Sequence, residues 1–297
     1  YEISTRDWSS DVCSSDLKEG LALINGTQMM TALGAFAVHR AKQLNDMADI
    51  AGAMSVDALR GTDTAFDERI HRMRGFTGQM ITASRLRSLL QGSSIRASHK
   101  EGDGMVQDAY SLRCMPQVHG ATRDAIAYVE HIISIELNSA NDNPLIFTED
   151  KAHLEGGNFH GQPIALALDF LAIACAELGN ISERRTERMV NGALSNGLPR
   201  FLATNGGVQS GMMIAQYTAA ALVSENKVLC HPAVVDSIPT SANQEDHNSM
   251  GSISARKVHT ILDHLEHIIA IEFLCAIRGI EYHHPLKTSD ILNEIGR

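Results

Sequence analysis

A chain of 297 residues is long enough to bury one large core or two ordinary ones. Its formal net charge of −10 argues against nucleic acid and against anionic membrane surfaces as partners. The five cysteines include no C-x-x-C pair, so we expect neither a zinc site nor a disulfide framework, and we expect a cytoplasmic protein.

The first 17 residues differ in character from the rest of the chain. They show no helical periodicity and no apolar stripe, and they resemble translated sequencing-adapter sequence. We therefore expect a non-native tail at 1–17 and a single helical domain over 18–297.

Beyond this tail, apolar residues recur at helical spacing over most of the chain. A polar turn near 144–156 is flanked by short apolar runs, which predict one small β-hairpin. The fold class is therefore all-α, and helices of this length favour a homo-oligomer in which several subunits share a bundle. The predicted long helices are 29–60, 121–137, 162–190, 208–229 and 249–279, with two or three shorter helices over 55–99.

The most apolar run, 163–181, is interrupted by Asp169 and Glu177. These charges predict a buried helix and not a membrane span, so we expect no membrane partner. Several histidines lie in the last long helix, but they do not share one face with a carboxylate. We therefore interpret them as structural and expect no metal site.

The heptapeptide Gln107–Arg113 places polar side chains at spacings of three residues. If it is helical, Gln107, Tyr110 and Arg113 lie along one side. A guanidinium binds carboxylates through two parallel hydrogen bonds, and a phenol can donate, accept or transfer a proton. This set could hold an amino acid by its polar end. The spacing alone favours a solvated helix end with three ordinary polar residues.

Two further residues have alternative interpretations at this level. Asn25 precedes Gly26 at a turn before a helix, where its amide could contact a ligand or cap the helix. Phe159 lies in a glycine-flanked loop, where it could cover a ligand or anchor the loop in the core.

Taken together, five segments resemble the aromatic amino acid ammonia-lyases in their order and spacing, and the members that act on histidine match best. The resemblance implies an all-α long-helix bundle of the ammonia-lyase and aspartase type. It also implies a homotetramer with shared active sites. The matching segments are 19–27, 107–113, 139–144, 157–161 and 241–251.

Members of this family use a methylidene-imidazolone group, formed from an internal Ala-Ser-Gly, to turn the substrate amine into a leaving group. No Ala-Ser-Gly occurs in these 297 residues. We therefore expect this chain to be a middle to C-terminal portion of a longer protein and to be inactive alone. The full-length protein is expected to convert L-histidine to trans-urocanate and ammonia.

The resemblance assigns polar roles to five residues. Arg113 binds the substrate carboxylate with help from Asn143, and Gln107 orients the neighbouring groups. Tyr110 hydrogen-bonds near the electrophile and the amine. Asn25 stabilises negative charge on the imidazolone oxygen, as an oxyanion-hole donor does.

The same resemblance places Phe159 in the wall of the pocket and Gln244 in contact with substrate. Glu245 faces the imidazole ring or takes part in proton transfer. Because imidazole can carry positive charge and a phenyl ring cannot, a carboxylate at this position favours histidine as substrate.

Other functions remain open at this level. The nearest alternative is a phenylalanine or tyrosine ammonia-lyase, or an aminomutase of the same family. A fumarase–aspartase type of lyase is a weaker alternative, since its Gly-Ser-Ser-x-Met-Pro loop is echoed only at 92–94. A non-catalytic helical assembly subunit belongs to a different class, and it would leave the polar set without a role.

Overall fold

The computed structural model describes residues 25–101 and 104–296. This part of the chain is mainly helical, and its two short strands, β1 (Leu145–Phe147) and β2 (Ala152–Leu154), form an antiparallel hairpin. The helices are α1 (Gln28–Ala58), α2 (Glu68–Arg72), α3 (Thr77–Leu90), α4 (Ser94–Ser98), α5 (Tyr110–Arg113), α6 (Met115–Glu136), α7 (Gln162–Val190), α8 (Met213–Leu229), α9 (Gly251–Glu281) and α10 (Asp290–Ile295).

These elements confirm the predicted all-α class and the small hairpin. The bounds of α7 are those predicted, but α6 begins six residues earlier than predicted, at Met115. Pro116 falls in its first turn, where proline needs no amide hydrogen-bond partner and does not end the helix. Conversely, α8 begins five residues later than predicted, at Met213, because the chain still turns at Gly211, whose φ is +48°.

The chain forms two compact units. Within the described residues, unit 1 comprises 25–36, 130–169 and 232–256, and unit 2 comprises 37–101, 104–129, 170–231 and 257–296. In unit 1, neighbouring side chains occupy the space that a side chain would need at two glycines. A Cβ on Gly34 would lie 2.6 Å from Ile133 Cδ1, and one on Gly161 would lie 2.5 Å from Met30 Sδ. The beginnings of α1 and α7 and the end of α6 therefore pack closely within this unit.

In unit 2 helices α3 and α6 approach until their backbones touch. A Cβ on Gly78 would lie 2.2 Å from the main-chain oxygen of Gly120, and one on Gly120 would lie 2.4 Å from the main-chain nitrogen of Gln79. A buried apolar core fills the same unit, and it includes Phe66, Leu112 and Met115. Since Leu112 belongs to the Gln107–Arg113 heptapeptide, this core fixes one side of that segment.

Helix α7 is long and apolar enough to cross a membrane by length and composition alone. However, 61% of its most apolar window is buried inside the fold, as in the core helix of a globular protein. Asp169, one of its two interrupting carboxylates, is itself buried and accepts a hydrogen bond of 2.9 Å from the main-chain nitrogen of Val234.

One buried carboxyl group in unit 2 ties three segments together. Asp57, near the end of α1, accepts hydrogen bonds from Ser93 Oγ at 2.9 Å and from Thr288 Oγ1 at 2.6 Å. Ser93 also caps α4 by accepting a hydrogen bond from the main-chain nitrogen of Arg96. Burial raises the pKa of Asp57 to about 6, because two neutral hydroxyl donors compensate little of the cost of a buried charge.

This raised pKa predicts a pH-dependent stability. Folding favours the protonated form of Asp57, so its contribution is fully present below the unfolded pKa near 3.8 and is lost as the pH rises through about 6. Two pKa units correspond to roughly 3 kcal/mol of unfolding free energy. We expect Asp57→Asn to remove this fall between pH 4 and pH 7, as measured by urea unfolding at each pH. Asp150→Asn, at the exposed hairpin turn, should retain the wild-type pH dependence.

Candidate active-site segments

The heptapeptide in unit 2 is only partly helical. Helix α5 begins at Tyr110, and Gln107 lies in the bend before it. The prediction that Gln107, Tyr110 and Arg113 share one helical side is therefore wrong for Gln107. Tyr110 and Arg113 do share a turn, and the guanidinium carbon of Arg113 lies 4.5 Å from the centre of the Tyr110 ring. That contact is a cation–π pair, which aligns the phenol with the cation.

The turn that presents these two side chains is held on several sides. Leu112 is buried in the core of unit 2. Asp108 is also buried, and its Oδ2 accepts a hydrogen bond of 2.6 Å from the main-chain nitrogen of Thr62. Arg113 Nε donates to the main-chain oxygen of Asp108 at 2.9 Å, which fixes the plane of the guanidinium. Tyr110 remains 71% exposed, so its hydroxyl is accessible to a ligand.

The segment that carries Asn25 lies in unit 1. Gly26 has φ +99° and bends the chain, and α1 begins only at Gln28, so Asn25 is not the cap of this helix. The segment is fixed by Thr27, which is buried, donates to Glu136 Oε1 at 2.5 Å and accepts from Asn141 Nδ2 at 2.6 Å. The capping interpretation is therefore wrong, and Asn25 is half-buried.

The same unit places Asn143 and Phe159 on neighbouring segments. Asn143 Oδ1 accepts a hydrogen bond of 2.7 Å from the main-chain nitrogen of Gly156. Asn158 Nδ2 donates to the main-chain oxygen of Ala140 at 3.2 Å, which ties the glycine-flanked loop to the 139–144 segment. Phe159 itself is half-buried.

Two histidines connect this loop to the 241–251 segment. The rings of His160 and His247 stack with centroids 5.7 Å apart and an interplanar angle of 3°. His160 Nε2 lies 3.0 Å from the main-chain oxygen of His247, and His160 Nδ1 accepts from the main-chain nitrogen of Gln162. These contacts assign the proton of His160 to Nε2. Neither histidine was predicted as a site residue, although each lies within two residues of one.

Glu245 follows a turn of unusual backbone conformation. Ser241, Ala242 and Asn243 all have φ between +49° and +70°, a region that non-glycine residues rarely adopt. The turn is closed by paired main-chain hydrogen bonds between Thr240 and Glu245. Left-handed residues are costly and cluster at functional sites, where they present the residues that follow. Here they present Gln244 and Glu245, and both side chains are exposed.

The Glu245 carboxylate is stabilised in its charged form. Thr240 Oγ1 donates to Glu245 Oε2 at 2.6 Å. This bond and a second one from Ser241 lower the pKa of Glu245 below its ordinary value. The side chain therefore presents a negative charge to solvent at neutral pH.

The predicted site residues thus fall into two groups. Unit 1 joins four of the matching segments by hydrogen bonds or ring contacts, and these segments contain Asn25, Asn143, Phe159, Gln244 and Glu245. Unit 2 holds Gln107, Tyr110 and Arg113 on one short segment. Among residues 25–101 and 104–296, no three histidine, cysteine or carboxylate side chains are grouped as metal ligands. The available chemistry is one guanidinium, one carboxylate and several amide and hydroxyl donors.

Comparisons with known proteins cover nearly the whole chain. The model of the aromatic amino acid lyase family matches residues 11–296. Histidine ammonia-lyase of Alkaliphilus oremlandii is 59% identical over 266 residues, which make up 90% of this chain and 52% of that protein. This chain spans about half the length of the curated relatives it matches. The match starts at residue 11, and residues 1–24 lie outside the described part, so the boundary at 17 stays a prediction.

Solved structures extend the comparison to the fold. The crystal structure of histidine ammonia-lyase from Trypanosoma cruzi has a TM-score of 0.86 and 54% identity, and the match covers 94% of this chain and 52% of that one. A tyrosine aminomutase from Streptomyces globisporus has a TM-score of 0.88 at 41% identity, over 94% of this chain and 56% of its own. With the family model matching nearly the whole sequence, the chain belongs to the aromatic amino acid lyase family.

Proposed function

We propose that a full-length protein containing this chain deaminates L-histidine non-oxidatively, giving trans-urocanate and ammonia. The observation that best supports this choice is Glu245, a carboxylate held in its charged form and presented by a left-handed turn. A histidine side chain can carry positive charge, so it gains from a nearby anion. The identity of 59% to a histidine ammonia-lyase points to the same substrate.

Arg113 is assigned the substrate carboxylate. Its Nε is already bonded to the main-chain oxygen of Asp108, so the guanidinium offers its Nη groups at a fixed angle. A charge-assisted pair of this kind gives both binding energy and orientation. Asn143 contributes a second polar contact to the carboxylate. Its Oδ1 is bonded to Gly156, which leaves the amide nitrogen as the donor.

Glu245 and Gln244 are assigned to contact the imidazole ring of the substrate. Because hydrogen bonds from Thr240 and Ser241 lower its pKa, Glu245 is a weak base at neutral pH. The proposed role of Glu245 is therefore to stabilise positive charge on the ring, in preference to abstracting a proton. Phe159 supplies an apolar wall beside the ring.

Asn25, Gln107 and Tyr110 are assigned to the amine and to the electrophile. The family's methylidene-imidazolone group, when bound, supplies the electrophile that makes the amine a leaving group. The donors present here fit such a group, because amide N–H and phenol O–H are neutral donors suited to an oxygen that gains negative charge. Asn25 would donate a hydrogen bond to that oxygen, and Tyr110 would position the substrate amine.

The proposal also includes the assembly and compartment. We infer a homotetramer with shared active sites, located in the cytoplasm. Exposed apolar side chains on the long helices support the oligomer, since Phe36 and Leu274 are each more than half exposed.

A second candidate is aminomutase chemistry on an aromatic amino acid. It is supported by the similarity to tyrosine aminomutase, whose fold matches as closely as that of the histidine enzyme. Fold similarity therefore does not separate the two, and the choice depends on the site residues.

The test is an assay of urocanate formation from L-histidine. We expect the purified full-length protein to form urocanate and the 297-residue chain to form none, because the chain contains no Ala-Ser-Gly. The control is the full-length protein with the serine of its Ala-Ser-Gly replaced by alanine. Turnover by the isolated chain, or none by the full-length protein, would contradict the proposal.

A further inference from the structure

A buried ion pair in unit 2 lies directly behind the candidate substrate-binding turn. Arg185 on α7 and Glu272 on α9 are both fully buried. Arg185 Nε donates to Glu272 Oε1 at 2.5 Å, and Nη2 donates to Oε2 at 2.8 Å. Ser55 and Ser182 also donate to this carboxylate, at 2.7 and 2.6 Å. Each carboxylate oxygen of Glu272 therefore accepts two hydrogen bonds.

A buried ion pair is weak evidence for added stability. Removing two charges from water is costly, and replacing a buried pair with uncharged residues of similar size is often neutral or stabilising. The third nitrogen of Arg185 suggests a further role. Its Nη1 lies 3.3 Å from the main-chain oxygen of Ser111 and 3.3 Å from His119 Nε2.

Ser111 lies between the two side chains that matter for substrate binding. Helix α5 has only four residues, so its carbonyl groups lack a full set of partners within the helix. Tyr110 and Arg113 project from this same turn. A charged donor on the Ser111 carbonyl therefore sets the orientation of the turn and of both side chains.

The other side of Arg185 is fixed by a buried relay of hydrogen bonds. Because Arg185 donates to His119 Nε2, the His119 proton is on Nδ1, which lies 2.9 Å from Asp49 Oδ1. Burial lowers the pKa of His119, so the ring stays neutral. Asp49 Oδ2 in turn accepts from Arg85 Nε and Arg123 Nη2, each at 2.8 Å. Helices α1, α3, α6, α7 and α9 thus all hold Arg185 in place.

We propose that Arg185, held by Glu272, is a positioning residue that fixes the Ser111 carbonyl and thereby orients Tyr110 and Arg113 for the substrate. This inference rests on the proposed function, because it assigns the orientation to substrate binding. The proposal predicts that loss of Arg185 raises the KM for histidine, and that this rise depends on the presence of Arg113.

The test uses a full-length protein and the double variant Arg185→Met/Glu272→Gln. This variant removes both buried charges, while the glutamine accepts from one of the two serines, Ser55 or Ser182, through its oxygen and donates to the other through its amide nitrogen. We expect a folded protein with a KM for L-histidine raised about tenfold, as for loss of one charge-assisted hydrogen bond. Arg184→Met is the matched control, since Arg184 is adjacent and half exposed, and its KM should equal that of the wild type.

A mutant cycle separates positioning from general stability. If Arg185 acts through the turn, Arg113→Ala should raise KM less in the double variant than in the wild type. Wild-type KM in the folded double variant, or additive effects in the cycle, would overturn the proposal. Should the double variant not fold, Arg185→Lys keeps the charge near Glu272 but shortens the reach to Ser111. It is expected to raise KM similarly, and an unchanged KM overturns the proposal.

Hydrogen exchange distinguishes this proposal from the proposed function. Amides in a peptide covering 108–114 should exchange about tenfold faster in the double variant, while those in the 145–154 hairpin should not change. If the wild-type protein fails to convert histidine, the proposed function is wrong. If exchange over 108–114 is the same in the double variant as in the wild type, the positioning role is wrong. Faster exchange confined to 108–114 in the double variant would support the positioning role independently of turnover.

Discussion

Glu245→Gln in a full-length protein is expected to lower kcat for L-histidine on the order of 100-fold or more. The substitution keeps the size of the side chain and an oxygen that accepts from Thr240 Oγ1, which lies 2.6 Å from Glu245 Oε2. It removes only the negative charge. Because the proposed role is to stabilise positive charge on the imidazole, the loss should appear in kcat more than in KM. Steady-state kinetics of urocanate formation measure both constants.

The pH profile adds a second measurement to this variant. Hydrogen bonds from Thr240 and Ser241 lower the pKa of Glu245, so its protonation should reduce kcat/KM only below the ordinary glutamate range. The Gln variant should lack that acidic limb. Glu149→Gln, at the exposed turn of the hairpin in the same unit, should behave as the wild type. Unchanged kcat in Glu245→Gln would remove the main reason for choosing histidine.

The second large effect is expected at Arg113. Arg113→Ala should raise the KM for histidine roughly 10- to 150-fold, because a charged hydrogen-bonding contact is worth about 1.5–3 kcal/mol. If the contact is equally strong in the ground state and the transition state, kcat changes little. The same kinetic assay measures the separation of KM from kcat.

Arg113→Lys refines this prediction. Lysine keeps the positive charge but cannot bond Asp108 and a substrate carboxylate through one planar group, so an intermediate KM is expected. Arg72→Ala serves as the control, since Arg72 forms an exposed pair with Glu68 on α2. A KM for Arg113→Ala equal to that of the control would show that another residue binds the carboxylate.

The fold was predictable where local chemistry determines it. The α7 bounds follow from a long, mainly apolar run with Pro163 in the first turn, and the hairpin follows from two short apolar runs around a polar turn. The start of α6 was missed because Pro116 and Gly120 suggest a break. In the structure Pro116 falls in the first turn of α6, and Gly120 allows α3 and α6 to touch.

Contacts between distant residues were not predictable from the sequence. Arg185 and Glu272 are 87 positions apart, and each alone resembles a solvated charge on a helix. Likewise, the Thr27 bonds to Glu136 and Asn141 join segments more than 100 residues apart. Periodicity carries no information about such pairs. The segments of the site were therefore predictable from their motifs, whereas the contacts that hold them were not.

The most direct test of the central claim is the substrate preference of a full-length protein. Values of kcat/KM for L-histidine, L-phenylalanine and L-tyrosine are to be measured under the same conditions, with the products identified. The account predicts a preference for histidine on the order of 100-fold or more, with trans-urocanate as product. Equal or better turnover of phenylalanine or tyrosine, or formation of a β-amino acid, would contradict it.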